Sequence, residues 1–332
     1  MHAWTVSEYG EPDSVLCSKN IEVPRPGPGQ LVVRTRAAPA NFPDAMLCRG
    51  EYQLKPPLPF TPGIEICGEV VELGREVKNF AIGDRVIGLT DLPHGAFAEY
   101  ALTTENRTFL APEVLDDAEA AALTLAYQTG WFGLHQRARL TEGETLLVHA
   151  AAGGVGSAAV QLGKAAGATV IAVVGGPAKV QAARNLGADI VVDRSNNDFV
   201  EVVKAETNGR GADVIYDPVG GETYMRSTKC VAFEGRLVLV GFASGTIPHP
   251  PLNHPLIKNY SILGLHWGLY NDHSPAAVHS VHEHLSRLAD RQLIKPMISE
   301  RLAFADIPAG VSKVASGAVI GRVAFVTQQR GK

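Results

Sequence analysis

The run Leu146-Leu147-Val148-His149, followed by Ala150-Ala151-Ala152-Gly153-Gly154-Val155-Gly156 and then by the helix-patterned stretch 157–167, constrains this chain more than any other feature. It places a strand, a tight turn of small residues and a helix in that order. Ala150, Gly153 and Gly156 recur at a spacing of three, which lets the backbone reverse sharply, approach a pyrophosphate closely and pack the helix on the strand. The first N–H groups of the helix then face an anion. A glycine-rich turn alone is no more than a close-packed junction. The strand before it and the helix after it make this one a dinucleotide site, with Ala152, Gly153, Gly154 and Val155 as the residues that hold the cofactor.

The text around the loop agrees. Apolar strands at 145–149, 169–174, 190–192, 213–217, 236–241 and 261–265 alternate with helical segments at 156–166, 177–186, 198–207 and 222–231. Six strands in this rhythm predict a parallel sheet covered on both faces, a complete Rossmann domain. Before 110 the apolar runs are short and broken by Gly and Pro, and Val23-Pro24-Arg25-Pro26-Gly27-Pro28-Gly29 is an extended connector because its prolines exclude a helix. That segment predicts a compact β-barrel. A chain of 332 residues exceeds what one core normally supports, so two domains are expected. The fold class is α/β: β-rich residues 1–124, a Rossmann domain at 125–265, and residues 266–332 returning to the first domain through a helix at 275–293 and a strand at 321–327.

An enzyme that uses NAD usually carries an acid at the end of the second strand, where it holds the ribose 2′-hydroxyl. This chain has none there: the strand 169–174 runs into Gly175-Gly176-Pro177, and Lys179 follows within the first helical turn. Without the acid a 2′-phosphate meets no repulsion, and Lys179 supplies an opposing charge. Gly175, Gly176 and Lys179 therefore point to NADPH as the cofactor.

Composition narrows the partners. A formal net charge of −4 with no basic cluster gives nucleic acid no footprint. The segment MHAWTVSEYG lacks a basic region followed by an apolar core, and no apolar run reaches the roughly 18 residues that cross a bilayer, so a cytoplasmic protein with no membrane partner is expected. Cys17, Cys48, Cys67 and Cys230 are scattered with no Cys-x2-Cys pair, which argues for reduced, packed thiols and against a zinc cluster. His279 and His282 share a face of the 275–293 helix with Glu283 nearby, but the helix is amphipathic about Val278, Val281, Leu285 and Leu288, so solvated histidines rather than metal ligands are expected, and no metal is assigned.

Several further segments carry a resemblance. They are Asn41-Phe42-Pro43-Asp44; Pro59-Phe60-Thr61-Pro62-Gly63-Ile64-Glu65 with Gly68; Gly83-Asp84-Arg85-Val86; Gly95-Ala96-Phe97-Ala98-Glu99-Tyr100; the loop from His149 to Gly156; and Asp213-Val214-Ile215-Tyr216-Asp217-Pro218-Val219-Gly220-Gly221. Over nearly its whole length the chain resembles the medium-chain dehydrogenase/reductase superfamily, and within it the zinc-free quinone oxidoreductase, or zeta-crystallin, branch. The resemblance implies a GroES-like β-barrel catalytic domain beside the Rossmann domain. Zinc-dependent relatives carry a Cys near the Asn41 segment and Gly-His-Glu where this chain reads Gly63-Ile64-Glu65. Ala38 to Asn41 offer no thiolate, Ile64 cannot coordinate, and Glu65 with Cys67 does not complete a three-ligand site.

The implied activity is hydride transfer from NADPH to a quinone or another conjugated carbonyl, with an enoyl or 2-alkenal reductase as the nearest alternative. An NADPH-binding sensor, structural or RNA-binding protein with little turnover is the alternative from another class. The implied catalytic residues are Asn41, which contacts the nicotinamide side of the cofactor, and Tyr52, which donates a proton to the acceptor or orients it. Thr129, Val219, Gly241, Phe242, Ala243, His266 and Trp267 are implied to line the cofactor. Relatives carry a second tyrosine where this chain has Met46. The resemblance also implies a homodimer built by pairing the sixth strands of two sheets.

Overall fold

The computed structural model describes residues Met1–Thr327. The chain forms two units. One comprises Met1–Leu125, Ser274–Asp290 and the segment from Lys295 onward, and the other comprises Ala126–His273 with Arg291–Ile294.

In the first unit β1 (His2–Val6) and β2 (Leu16–Asn20) form an antiparallel pair. β3 (Gln30–Pro39), β4 (Glu65–Leu73), β5 (Arg85–Thr90) and β6 (Tyr100–Leu110) are antiparallel neighbours in that order, and β3 also pairs with β6. The double pairing of β3 closes the sheet into a barrel and leaves those four strands no open edge between them. Closure demands close backbone approach at Gly68 on β4, where a Cβ would stand 2.2 Å from the Arg34 carbonyl oxygen.

The second unit is a six-stranded parallel sheet of β7 (Thr145–Val148), β8 (Thr169–Val174), β9 (Ile190–Asp193), β10 (Ala212–Asp217), β11 (Val231–Leu239) and β12 (Ser261–Gly264). Their spatial order is β12-β11-β10-β7-β8-β9, so the order reverses beside β7 and opens a crevice at the carboxyl ends of β7 and β10. Leu147, Ile171, Ile215 and Leu237 are fully buried, as strands covered on both faces require.

Three local features depart from the sequence reading. The helix expected at 222–231 stops at Ser227, and β11 begins at Val231 rather than at 236. The pairing jumps from Ala212 opposite Val231 to Val214 opposite Arg236, so Phe233, Glu234 and Gly235 form a bulge, with Glu234 left-handed at φ 56°. Residues 132–137 continue the Thr124–Trp131 helix as a π-helix, a segment that periodicity does not announce. Residues 266–273 belong with the parallel sheet: the Tyr270 ring lies 4.1 Å from that of Phe132, and Trp267 is buried.

The chain returns to the barrel unit through the Pro275–Asp290 helix, β13 (Ile298–Ala303) and β14 (Arg322–Val326); β14 pairs with β3, and Phe325 meets Phe97 edge-to-face at 5.5 Å in the barrel core. The expectation of solvated histidines on that helix is corrected. The His282 ring is buried and stacks on Phe109 at 4.4 Å while its Nε2 meets the Leu110 carbonyl at 3.1 Å; His279 Nε2 meets the Asn106 carbonyl at 3.1 Å. An imidazole packs like an apolar ring here and satisfies edge carbonyls of β6, and burial lowers His282 to about 4.

Candidate active site

β7 ends at the loop. Ala150 is left-handed at φ 48°, the Gly153 N–H closes onto the Ala150 carbonyl at 2.8 Å, and the helix Gly154–Ala165 starts at once with no side-chain cap. The turn is that tight only because position 156 is glycine: a Cβ there would stand 2.2 Å from the Ala150 oxygen. The side chain of Ala152 is buried, whereas Gly153, Gly154 and Val155 are half-exposed. Gly154 and Val155 open the helix, so their N–H groups have no intrahelical acceptor, and the loop forms an anion cradle. Behind it His149, fully buried, meets Ser227 Oγ at 2.8 Å, and that hydroxyl donates to the Thr223 carbonyl. Ser227 Oγ therefore accepts, and His149 Nε2 carries the proton. Burial lowers His149 to about 3, so it stays neutral and ties the loop to the Gly221–Ser227 helix.

The end of β8 carries no acid of its own. Gly176, at φ 86°, donates its N–H to Asp193 Oδ1 at 3.0 Å, and Pro177 opens the helix on which Lys179 sits in the first turn. Arg194, just past β9, was not singled out from the sequence. Its N–H binds the Val174 carbonyl at 2.9 Å, and its Nε lies 3.0 Å from where a Cβ on Gly175 would stand. An exposed guanidinium thus lies over Gly175, where the NAD-type acid would otherwise be sought. Its sequence signal is an arginine directly after the third strand, which runs to Asp193 rather than to 192.

The loops after β10 and β11 meet. Asp217 Oδ1 accepts the N–H groups of Val219 and Gly220 at 2.8 and 3.0 Å, Ala243 N–H binds the Pro218 carbonyl at 3.0 Å, and Ser244 N–H binds the Val219 carbonyl at 3.0 Å. Val219, Gly241, Phe242 and Ala243 thereby form one rim, with Phe242 39% exposed. Of the remaining predicted residues in this unit, Thr129 is buried on the Thr124–Trp131 helix and His266 is exposed. Trp267 is buried, and its Nε1 has no hydrogen-bond partner among the described residues.

Asn41 and Tyr52 lie in the barrel unit. Asn41 precedes the Phe42–Arg49 helix; its N–H binds Asp44 Oδ2 at 2.8 Å, and Asp44 Oδ1 accepts the N–H groups of Gly63 and Ile64, both at 3.1 Å. Asp44 is fully buried, and desolvation pushes its carboxyl up to about 7 against the pull of those three donors. Tyr52 is half-buried against the barrel core, and its phenol is raised by burial and then by the charge of Asp44. Two residues the sequence reading did not connect complete the cluster: Arg322 Nη2 donates to Asn41 Oδ1 and to Glu65 Oε2, each at 2.7 Å, while Glu65 Oε1 accepts the Leu125 N–H at 2.7 Å. The Asn41-x-x-Asp44 spacing is a helix-start signal legible in the sequence; Arg322, 281 residues from Asn41, gave none.

Among the described residues, no group of three His, Cys, Asp or Glu side chains is placed to hold a metal ion, and no helix is long and apolar enough to cross a membrane. The thiols of Cys48 and Cys230 are buried and pushed up to about 12, and that of Cys67 rises further, so none is a nucleophile near neutral pH.

Residues 27–113 match the alcohol dehydrogenase GroES-like domain and residues 154–283 the zinc-binding dehydrogenase domain. A quinone oxidoreductase-like protein 2 homolog from Nematostella vectensis is 35% identical over 326 residues, 97% of this chain and 88% of that one. The chain belongs to the medium-chain dehydrogenase/reductase superfamily, in its quinone oxidoreductase branch. A quinone oxidoreductase from Pseudomonas syringae superposes on this oxidoreductase with a TM-score of 0.90 at 32% identity, covering 98% of this chain and 99% of that one. A mycobacterial protein complexed with NADPH superposes at 0.91 with 28% identity, over 98% and 100% of the two chains.

Proposed function

We propose that this oxidoreductase takes hydride from NADPH and delivers it to a quinone or another conjugated carbonyl acceptor, without a catalytic zinc. The observation that carries the reading is the end of β8, where Gly175 leaves room for the Arg194 guanidinium and Lys179 sits in the first turn of the next helix. β8 ends without an acid of its own, and the Asp193 carboxylate from the end of β9 is engaged by the Gly176 and Ser195 N–H groups; two cations there favour a 2′-phosphate over a neutral 2′-hydroxyl. The kinship with quinone oxidoreductases and the NADPH held by the mycobacterial neighbour support it.

In this reading Ala152, Gly153, Gly154 and Val155 hold the pyrophosphate; Gly175, Gly176, Lys179 and Arg194 hold the 2′-phosphate; Val219, Gly241, Phe242 and Ala243 border the cofactor. Thr129, His266 and Trp267 serve its nicotinamide end, with Asn41 as a polar ligand and Tyr52 orienting the acceptor. The dihydronicotinamide, when bound, supplies the hydride. The chain's own work is to position the reactants and exclude water, and an acceptor that is already electrophilic needs no Lewis acid. Ile64 offers no ligand atom, and both Glu65 oxygens are engaged, one by Arg322 and one by the Leu125 N–H, which supports chemistry without zinc.

A steady-state comparison of a benzoquinone with a simple enone tests the acceptor class. The quinone is expected to have the higher kcat/KM, and a strong advantage for the enone would replace quinone reductase by enoyl reductase. NADPH that binds but is oxidised by no acceptor in a broad panel would point to a sensor instead.

The protein is also proposed to act as a homodimer. Among the described residues β12 pairs with β11 alone, and the helix leading into it exposes Leu256 and Ile257 at 77% and 72%. An open edge beside apolar side chains suits a second copy. Light scattering at micromolar concentration should give twice the 35.3 kDa chain mass, and a strict monomer would refute the dimer.

A further inference from the structure

We infer that Arg322 is a positioning residue that fixes the orientation of the Asn41 amide, so that Asn41 meets its ligand as a hydrogen-bond donor. The inference rests on the reading above that Asn41 is a cofactor ligand, and it adds how the residue is set and which of its atoms acts.

A guanidinium has donors only, so the Asn41 atom 2.7 Å from Arg322 Nη2 is the amide oxygen. The far side of the same amide agrees: Nδ2 donates one hydrogen to the Pro39 carbonyl across a long 3.3 Å. The Asn41 oxygen thus faces the guanidinium, one amide hydrogen is in a weak bond, and the other amide hydrogen is left for an oxygen of the ligand. The Pro39 carbonyl favours the same orientation only through a long bond, so the short bond from the guanidinium is the stronger constraint on the amide.

Arg322 is itself held. The same Nη2 binds Glu65 Oε2 at 2.7 Å, and the other Glu65 oxygen takes the Leu125 N–H, so the carboxylate fixes the guanidinium and the guanidinium fixes the amide. Arg322 is 6% exposed, Glu65 0% and Asn41 5%, so water does not substitute for any of these partners. Such charge-assisted bonds between buried groups are the strong ones. Without the guanidinium, the amide is free to turn about its broad terminal torsion and to present oxygen instead of N–H.

The test is a double-mutant cycle read by NADPH fluorescence titration, with kcat/KM and melting temperature measured in parallel. Arg322→Met combined with Glu65→Gln removes the guanidinium without stranding a buried carboxylate; Arg322→Lys keeps the charge but loses the planar fork, and provides a second folded variant. Each is made in the native background and in Asn41→Ala. The expected result is about a tenfold rise in NADPH Kd for Asn41→Ala, a comparable rise for the Arg322 variants, and under twofold further change when they are added to Asn41→Ala. Asn41→Asp, which replaces the free donor by an acceptor, is expected to bind at least as poorly as Asn41→Ala. A merely structural Arg322 would lower the melting temperature and affect binding equally in both backgrounds, which overturns the inference. Near-native binding by Asn41→Asp overturns the donor assignment. An Asn41→Ala variant that binds and turns over NADPH like the native protein instead overturns the underlying reading of Asn41.

Discussion

Gly156→Ala is expected to raise the Kd for NADPH by about a hundredfold or more and to lower the melting temperature. The added Cβ would stand 2.2 Å from the Ala150 oxygen, 2.8 Å from the Ala150 carbonyl carbon and 2.9 Å from Ala151 Cα, all of them backbone atoms with no flexible end to swing aside. The helix start must therefore move away from the strand end. Moving it displaces the N–H groups of Gly154 and Val155 from the phosphate, and a misplacement of 1 Å at a positioned group costs on the order of 10²-fold. The effect is far larger than the usual cost of Gly against Ala in a helix, which favours alanine. Fluorescence titration and thermal melting of the one variant measure both parts. Native affinity in Gly156→Ala would mean that the loop does not hold the pyrophosphate.

Arg194→Glu is expected to lower the preference for NADPH over NADH by about a hundredfold, by replacing an attraction with a repulsion worth roughly one decade each at an exposed site. NADH affinity should move by less than about threefold, because the 2′-hydroxyl carries no charge to repel. Arg194 is exposed, so the native preference should also shrink as ionic strength rises. The ratio of kcat/KM for the two nucleotides, measured at low and at near-physiological salt, checks both. An unchanged ratio in Arg194→Glu would remove Arg194 from the 2′-phosphate site.

The parts of the fold legible in the sequence were those written in local pattern. Strands buried on both faces read as continuous apolar runs, so the sheet from β7 to β12 could be counted, and the order strand, small-residue turn, helix located the anion cradle. β11 starts five residues before the apolar run at 236–241 because a bulge that lets Glu234 stand at φ 56° is decided by pairing with β10, which no local pattern encodes. His282 was read as a solvated residue because a polarity pattern counts imidazole as polar, whereas stacking on Phe109 and a bond to the Leu110 carbonyl let it pack as an aromatic. The residues around Asn41 show the limit most clearly. Asn41 and Asp44 sit on one helix start, but the guanidinium that sets the amide arrives from β14 and the carboxylate that holds it from β4, contacts that no local period encodes.

The central claim is that the residues at the ends of β7, β8 and β9 hold NADPH for hydride transfer. It is tested most directly by titrating the native protein with NADPH and NADH side by side, following nucleotide fluorescence, and then adding a benzoquinone to each complex. The account predicts that NADPH binds more tightly by at least about tenfold and that its absorbance is lost when quinone is added. Equal or tighter binding of NADH, or an NADPH complex that quinone leaves unoxidised, would contradict it.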